Sequence, residues 1–120
     1  MKTTFQEDVI QLVLQIPKGR VTSYGTIAKF LGHTRGARMV GWVMNNCQVI
    51  NQTRESQNEL KIPAPIPAHR VVNRNGLLTG RHHFETPTKM QELLEAENIK
   101  VENHQVQDFE TIFWNPEQLL

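Results

Sequence analysis

Two short helical runs separated only by Gly32-His33-Thr34 constrain what this 120-residue chain can fold into more than any other feature. The first run starts near Ser23 and ends at Gly32, whose missing Cβ suits the left-handed position after a helix. The second takes Thr34 as N-cap and runs to about Asn46. Val40, Val43 and Met44 give it an apolar stripe and leave Arg35 and Arg38 on another side. Two short helices on so short a connection make a helix-turn-helix in outline. A further helix precedes them. Thr4-Phe5-Gln6-Glu7 fits a capping box, Phe5, Val9, Leu12 and Ile16 recur at helical spacing, and Pro17-Lys18-Gly19 stops the run.

The rest of the chain is less periodic. Residues 47–62 are polar and read as a surface loop. Pro63, Pro65 and Pro67 keep the following approach extended. Asn73-Arg74-Asn75-Gly76 reads as a tight turn, in which Asn75 and Gly76 tolerate positive φ. Met90 to Asn98 is expected as a last amphipathic helix with Met90, Leu93 and Leu94 inward, and Phe113 and Trp114 pack the tail back onto the body. The expected class is mainly α with short strands. A chain of this length fits one domain that buries roughly two-thirds of its unfolded surface, here a core over 1–99 with an acidic extension over 100–120.

The single cysteine, Cys47, excludes an internal disulfide and reads as a free thiol. Neither a signal peptide nor an apolar run of membrane-spanning length is present, so the expectation is a cytoplasmic monomer without membrane contact. No CxxC pair or His/Cys cluster suggests a metal, and no cofactor is implied. Charge is segregated along the chain: residues 1–46 carry six Lys or Arg against two Asp or Glu, residues 47–83 five against two, and residues 84–120 two against eight. The basic two-thirds suits a phosphate backbone, and the acidic tail would face away from it or meet a protein.

Three segments carry a resemblance. Pro65-Ile66-Pro67-Ala68-His69-Arg70-Val71-Val72 looks like an active-site strand lacking its nucleophile; Gly19-Arg20-Val21-Thr22-Ser23-Tyr24-Gly25-Thr26-Ile27-Ala28 looks like the entry into a helix-turn-helix; Arg35-Gly36-Ala37-Arg38-Met39-Val40-Gly41-Trp42-Val43-Met44 looks like its recognition helix. In this order they resemble the O6-alkylguanine-DNA alkyltransferases, whose Pro-Cys-His-Arg-Val motif has Ala68 here in place of the alkyl-accepting cysteine. The similarity runs from about Phe5 to about Ile99 and is weakest between Cys47 and Lys61. It implies a winged helix-turn-helix-like fold, as in the C-terminal DNA-binding domain of those proteins. The cysteine-less subgroup, the alkyltransferase-like proteins, is the nearest resemblance; its members bind O6-alkylguanine in duplex DNA and hand it to nucleotide excision repair proteins.

The resemblance also implies roles. Tyr24 matches the tyrosine that rotates the 3′ phosphate of the target nucleotide, and Arg38 the arginine that enters the vacated stack, where a planar guanidinium can both stack and donate. Gly36 and Ala37 sit where small residues face a minor groove about 6 Å wide. Arg35, Arg20 and Lys18 are candidate phosphate contacts. His69 and Glu97 match the histidine and glutamate that serve the missing thiol, and without it they read as a vestigial network that shapes the pocket; Arg70 reads as structural. Ala68 reads as an alanine in a buried strand that leaves space for bulky O6 substituents. The base pocket is assigned to Ala68, His69, Trp42, His83 and Phe84, with His82 another candidate and core packing the ordinary role for Trp42. The segment Gly80 to Phe84 lacks the tyrosine and serine expected of the family's loop, and many cysteine-less relatives carry tryptophan at position 68.

A methyl group has no lone pair with which to attack an alkyl carbon, so thiolate chemistry is excluded at Ala68. Two alternatives stay open: a methyltransferase whose acceptor was replaced by Ala68, and a helix-turn-helix regulator of undamaged DNA.

Overall fold

A computed structural model of the chain describes residues 4–46 and 66–119. The polar stretch expected as a loop, Pro63, Pro65 and Cys47 lie outside the described residues. The first helix, α1 (Phe5–Val13), is capped by Thr4, whose hydroxyl accepts the Glu7 amide at 3.1 Å. Strand β1 (Thr22–Ser23) leads into α2 (Tyr24–Phe30), where the Ser23 hydroxyl caps the Thr26 amide. Gly32, at φ +85° in the left-handed region, ends α2 in a two-bond closure: its own amide bonds Lys29 O, and His33 N bonds Ala28 O at 2.8 Å.

The next helix, α3 (Ala37–Asn45), starts later than its sequence suggests. Gly36, not Thr34, is its N-cap, because the chain makes one more tight turn first, closed by Gly36 N to His33 O at 2.7 Å. Val40, Val43 and Met44 are buried as expected.

Ala68–Arg70 forms a 3₁₀ turn rather than a strand, and strand geometry begins only at β2 (Val71–Val72). Pro67 (φ −80°, ψ 64°) directs the chain into this turn, which Arg70 N to Pro67 O closes at 3.0 Å. Ala68 is therefore half-buried at a turn, which corrects the buried-strand expectation. β2 runs parallel to β1, with Thr22 beside Val71 and Ser23 beside Val72. Successive strand residues point to opposite faces, and Val71 and Val72 accordingly join different hydrophobic clusters. One gathers α1, α2, α3, Ile66, Val71 and Trp114; the other gathers Val21, Val72, Leu78, Met90, Leu94, Ile99, Val101 and Val106.

Asn73 to Gly76 is a turn, with Gly76 at φ +80° and Asn75 outside the left-handed region. Helix α4 (Lys89–Glu95) buries Met90 and Leu94, while Leu93 is half-buried. It is not the last helix. An antiparallel pair, β3 (Val101–Glu102) with β4 (Gln105–Val106), is followed by α5 (Phe109–Ile112) and a 3₁₀ turn over Pro116–Leu119. Residues beyond 99 supply Val101 and Val106 to one cluster and Trp114 to the other, and Trp114 N bonds Val21 O at 2.7 Å. No helix among the described residues is long and apolar enough to cross a membrane.

Candidate nucleic-acid interface

The exposed side of α3 forms one wall of a groove of about 560 Å³. Helical spacing puts Ala37, Arg38, Gly41, Trp42 and Asn45 on that side, opposite the stripe that packs on α1 and α2. Tyr24, the first residue of α2, and the loop residues Thr79 and Gly80 form the other wall. Burial raises the Tyr24 phenol above its ordinary value, against the opposing effect of a hydrogen bond with Thr79, so the hydroxyl keeps its proton and can donate. A Cβ at Gly80 would lie 3.0 Å from the Tyr24 hydroxyl oxygen, so glycine lets this loop come close to the phenol.

Arg35 and Arg38 are exposed, and Ala37 is half-buried at the groove. Gly36 is small for a different reason from the one its motif suggests: it is buried, and a Cβ there would lie 3.0 Å from both His33 Cβ and His33 O and 3.4 Å from Ala28 Cβ. The close approach of the turn to α2 favours the glycine. Lys18 and Arg20 are exposed, but Arg20 also donates to Thr111 O at 3.1 Å and so ties the loop after α1 to α5.

Of the five residues assigned to a base pocket, only Trp42 lines this groove. It is 60% exposed, which overturns core packing as its role. Ala68 packs at the edge of the first hydrophobic cluster and Phe84 at the edge of the second, while His83 and His82 are exposed on the 3₁₀ turn Arg81–His83. Sequence reasoning missed Asn45 and Thr79. Asn45 lies one helical turn beyond Gly41 and two beyond Arg38, a spacing that could have found it; Thr79 had no local signal.

His69, Arg70 and Glu97 form a compact polar cluster. His69 Nε2 lies 2.6 Å from Glu97 Oε2, Arg70 Nε donates to both carboxylate oxygens at 3.0 and 3.1 Å, and Arg70 Nη2 lies 2.9 Å from Oε2. The Gly19 amide donates to Oε1 at 2.7 Å, and Arg70 Nη1 donates to Ile16 O at 2.9 Å. The Ala68–Arg70 turn is thereby held to the loop after α1 and to the end of α4. Burial would raise the Glu97 carboxyl, but the hydrogen bonds from Arg70, Gly19 and His69 outweigh it and hold the group at about 2. Burial lowers His69 from its ordinary value against the pull of Glu97. At neutral pH an ionised Glu97 therefore faces a neutral imidazole, whose Nε2–H must donate to it. Nδ1 is left as the nitrogen able to accept a proton.

The family model for the DNA-binding domain of 6-O-methylguanine DNA methyltransferase matches residues 4–99. The chain belongs to this family. Within it, the chain is 36% identical over 114 residues to a DNA base-flipping protein of Escherichia coli, covering 93% of this chain and 75% of that one. It is 29% identical over 97 residues to alkyltransferase-like protein 1 of Schizosaccharomyces pombe, covering 81% and 78%. The crystal structure of S. pombe Atl1 in complex with damaged DNA containing O6-carboxymethylguanine superposes with a TM-score of 0.69 at 25% identity, over 95% of this chain and 98% of that one. The fold is that of the family's DNA-binding domain, mainly helical with a few short strands.

Proposed function

We propose that the chain recognises O6-alkylguanine in duplex DNA by rotating the damaged nucleotide out of the stack, transfers no alkyl group, and leaves the lesion bound for nucleotide excision repair proteins. The observation that carries this is the meeting of Tyr24 and Arg38, from different helices, on one groove that has no carboxylate among its described lining residues. Tyr24 supplies a protonated hydroxyl for a phosphate oxygen, and Arg38 a guanidinium that can fill the gap left by a rotated nucleotide. Rotation costs a few kcal/mol and costs least where the base already pairs badly, so a protein that binds the opened state prefers the lesion without touching the alkyl group.

Ala68 decides the chemistry. His69 has an oriented ring whose Nδ1 has no hydrogen-bond partner among the described residues, but nothing at position 68 can be deprotonated. The Glu97 cluster then serves to hold the turn in place, which accounts for its presence beside a residue that cannot react. The names of the base-flipping and alkyltransferase-like relatives, and the damaged DNA in the S. pombe complex, support the same reading.

The test is to titrate the protein with a duplex containing a single radiolabelled O6-methylguanine and with the unmodified duplex. The expected result is tighter binding to the lesion with all label remaining in DNA. Label appearing on the protein would establish a methyltransferase using another acceptor, and equal affinity for the two duplexes would point to a regulator of undamaged DNA.

A further inference from the structure

Met39 and Trp42 are the two large hydrophobic residues exposed among the described residues, at 57% and 60%, and both lie on α3. Trp42 is the one that faces the groove. At about 100° per residue, it projects only about 40° around the helix from Arg38 and one turn further along, so guanidinium and indole stand side by side on the wall opposite Tyr24. Helix α3 has no acidic residue, and Arg38 is the one charged side chain lining this groove among the described residues. A flat apolar ring held in water beside a cation, with no carboxylate in the described lining, suits a partner that combines negative charge with aromatic faces. Nucleic acid has both.

We propose that Trp42 is a further DNA-contacting residue, whose indole packs on the nucleobase exposed beside the gap that Arg38 enters. The inference rests on the flipping mechanism above. Every base presents a π-face, so such stacking adds affinity without reading sequence. A base ring becomes available only when its neighbour leaves the stack, so Trp42 contributes to the opened state and little to intact duplex. Apolar side chains set between base steps hold other minor-groove complexes open in the same way. Trp42 thus sharpens the preference for damage, while Arg35 and Lys18 act on either duplex.

The second tryptophan, Trp114, is 5% exposed and packed in the core, so DNA-induced changes in tryptophan emission report on Trp42. Saturating the full-length protein with an O6-methylguanine duplex should quench the long-wavelength emission. In Trp42→Ala, lesion affinity should fall about tenfold or more while affinity for the unmodified duplex changes by less than about threefold, and Trp42→Phe should keep most of the preference. Blue Trp114 emission in Trp42→Ala verifies that the variant is folded. Unchanged emission on binding, or a Trp42→Ala protein with the wild-type ratio of affinities, would overturn the role of Trp42 and leave the flipping mechanism standing. A wild-type protein that binds both duplexes equally would overturn both.

Discussion

Replacing Glu97 by glutamine tests whether the polar cluster beside Ala68 is a structural clamp. The carboxylate receives the Gly19 amide, Arg70 Nε, Arg70 Nη2 and His69 Nε2. A carboxamide has one oxygen with which to meet those donors and turns its own N–H₂ towards the rest. At least two charge-assisted bonds are lost, each worth about 1.5–3 kcal/mol. The side chains of His69, Arg70 and Glu97 are 12%, 18% and 7% exposed, so solvent at the edge of the cluster repays part of that loss. A net cost of about 3 kcal/mol, the lower end for breaking a buried pair, is expected. With an unfolding entropy of about 2.1 cal/mol/K per residue, a chain of 120 residues loses about 4 °C per kcal/mol, so Tm should fall by about 12 °C at pH 7.

The pH dependence separates this from a general packing defect. Both Glu97 and His69 are held below their ordinary values in the folded protein, so the unfolded chain binds more protons and stability falls as pH falls. For His69 the loss begins below about 6.5; for Glu97 the contribution is complete above about 4.5 and is lost as pH drops to about 2. Circular dichroism melts from pH 7 to pH 2 should show wild type and Glu97→Gln converging over the lower window, where the wild-type carboxyl also becomes protonated. A Tm difference under about 3 °C at pH 7, or one that does not change with pH, would refute the clamp.

Arg38→Ala should reduce the preference for O6-methylguanine and the unstacked fluorescence of a 2-aminopurine placed at the target, whereas Lys18→Ala should weaken both duplexes alike and lower the magnitude of the salt slope by about 1; identical behaviour of the two variants would reduce Arg38 to a phosphate contact. Ala68→Cys should give measurable transfer of labelled methyl to protein, because Nδ1 of His69, which has no hydrogen-bond partner among the described residues, can take the thiol proton; retained lesion binding with no transfer would show that the His69–Glu97 pair is wrongly oriented for that chemistry. Thr22→Val should raise Tm by about 4 °C, since the buried Thr22 hydroxyl has no hydrogen-bond partner among the described residues and its replacement removes an unmet polar group worth about 1 kcal/mol; a lower Tm would show that the hydroxyl is satisfied in the folded protein.

What could be read from sequence divides by the range of the interactions involved. Thr4 and Ser23 cap helices through bonds to residues three positions on, and α2 ends where Gly32 N bonds Lys29 O and His33 N bonds Ala28 O; such contacts are written into adjacent residues. The start of α3 differs from the sequence expectation because Thr34 is a good cap by type, while the competing demand comes from Ala28 and His33, which crowd a Cβ at Gly36. Likewise Ala68 was expected on a strand, but the bend at Pro67 and the bonds that anchor Arg70 to Ile16 and Glu97 favour a turn there.

The groove shows the same division at the level of function. Tyr24 and Arg38 were found by their motifs, whereas Thr79 enters only because the chain returns to place it against the Tyr24 phenol. Trp42 is the instructive case: a tryptophan on an amphipathic helix is ordinarily buried, and the indole lies outside the stripe of Val40, Val43 and Met44 because it falls on the side that Arg38 occupies. If this face meets a narrow groove, as proposed, a residue of that size cannot be neutral there. It either blocks the approach of DNA or takes part in it, and the absence of any acidic residue on α3, with Arg38 one turn away, favours taking part. On the proposed reading recognition and chemistry are separable in this fold: α3 and Tyr24 would hold an opened duplex whether or not position 68 carries a nucleophile.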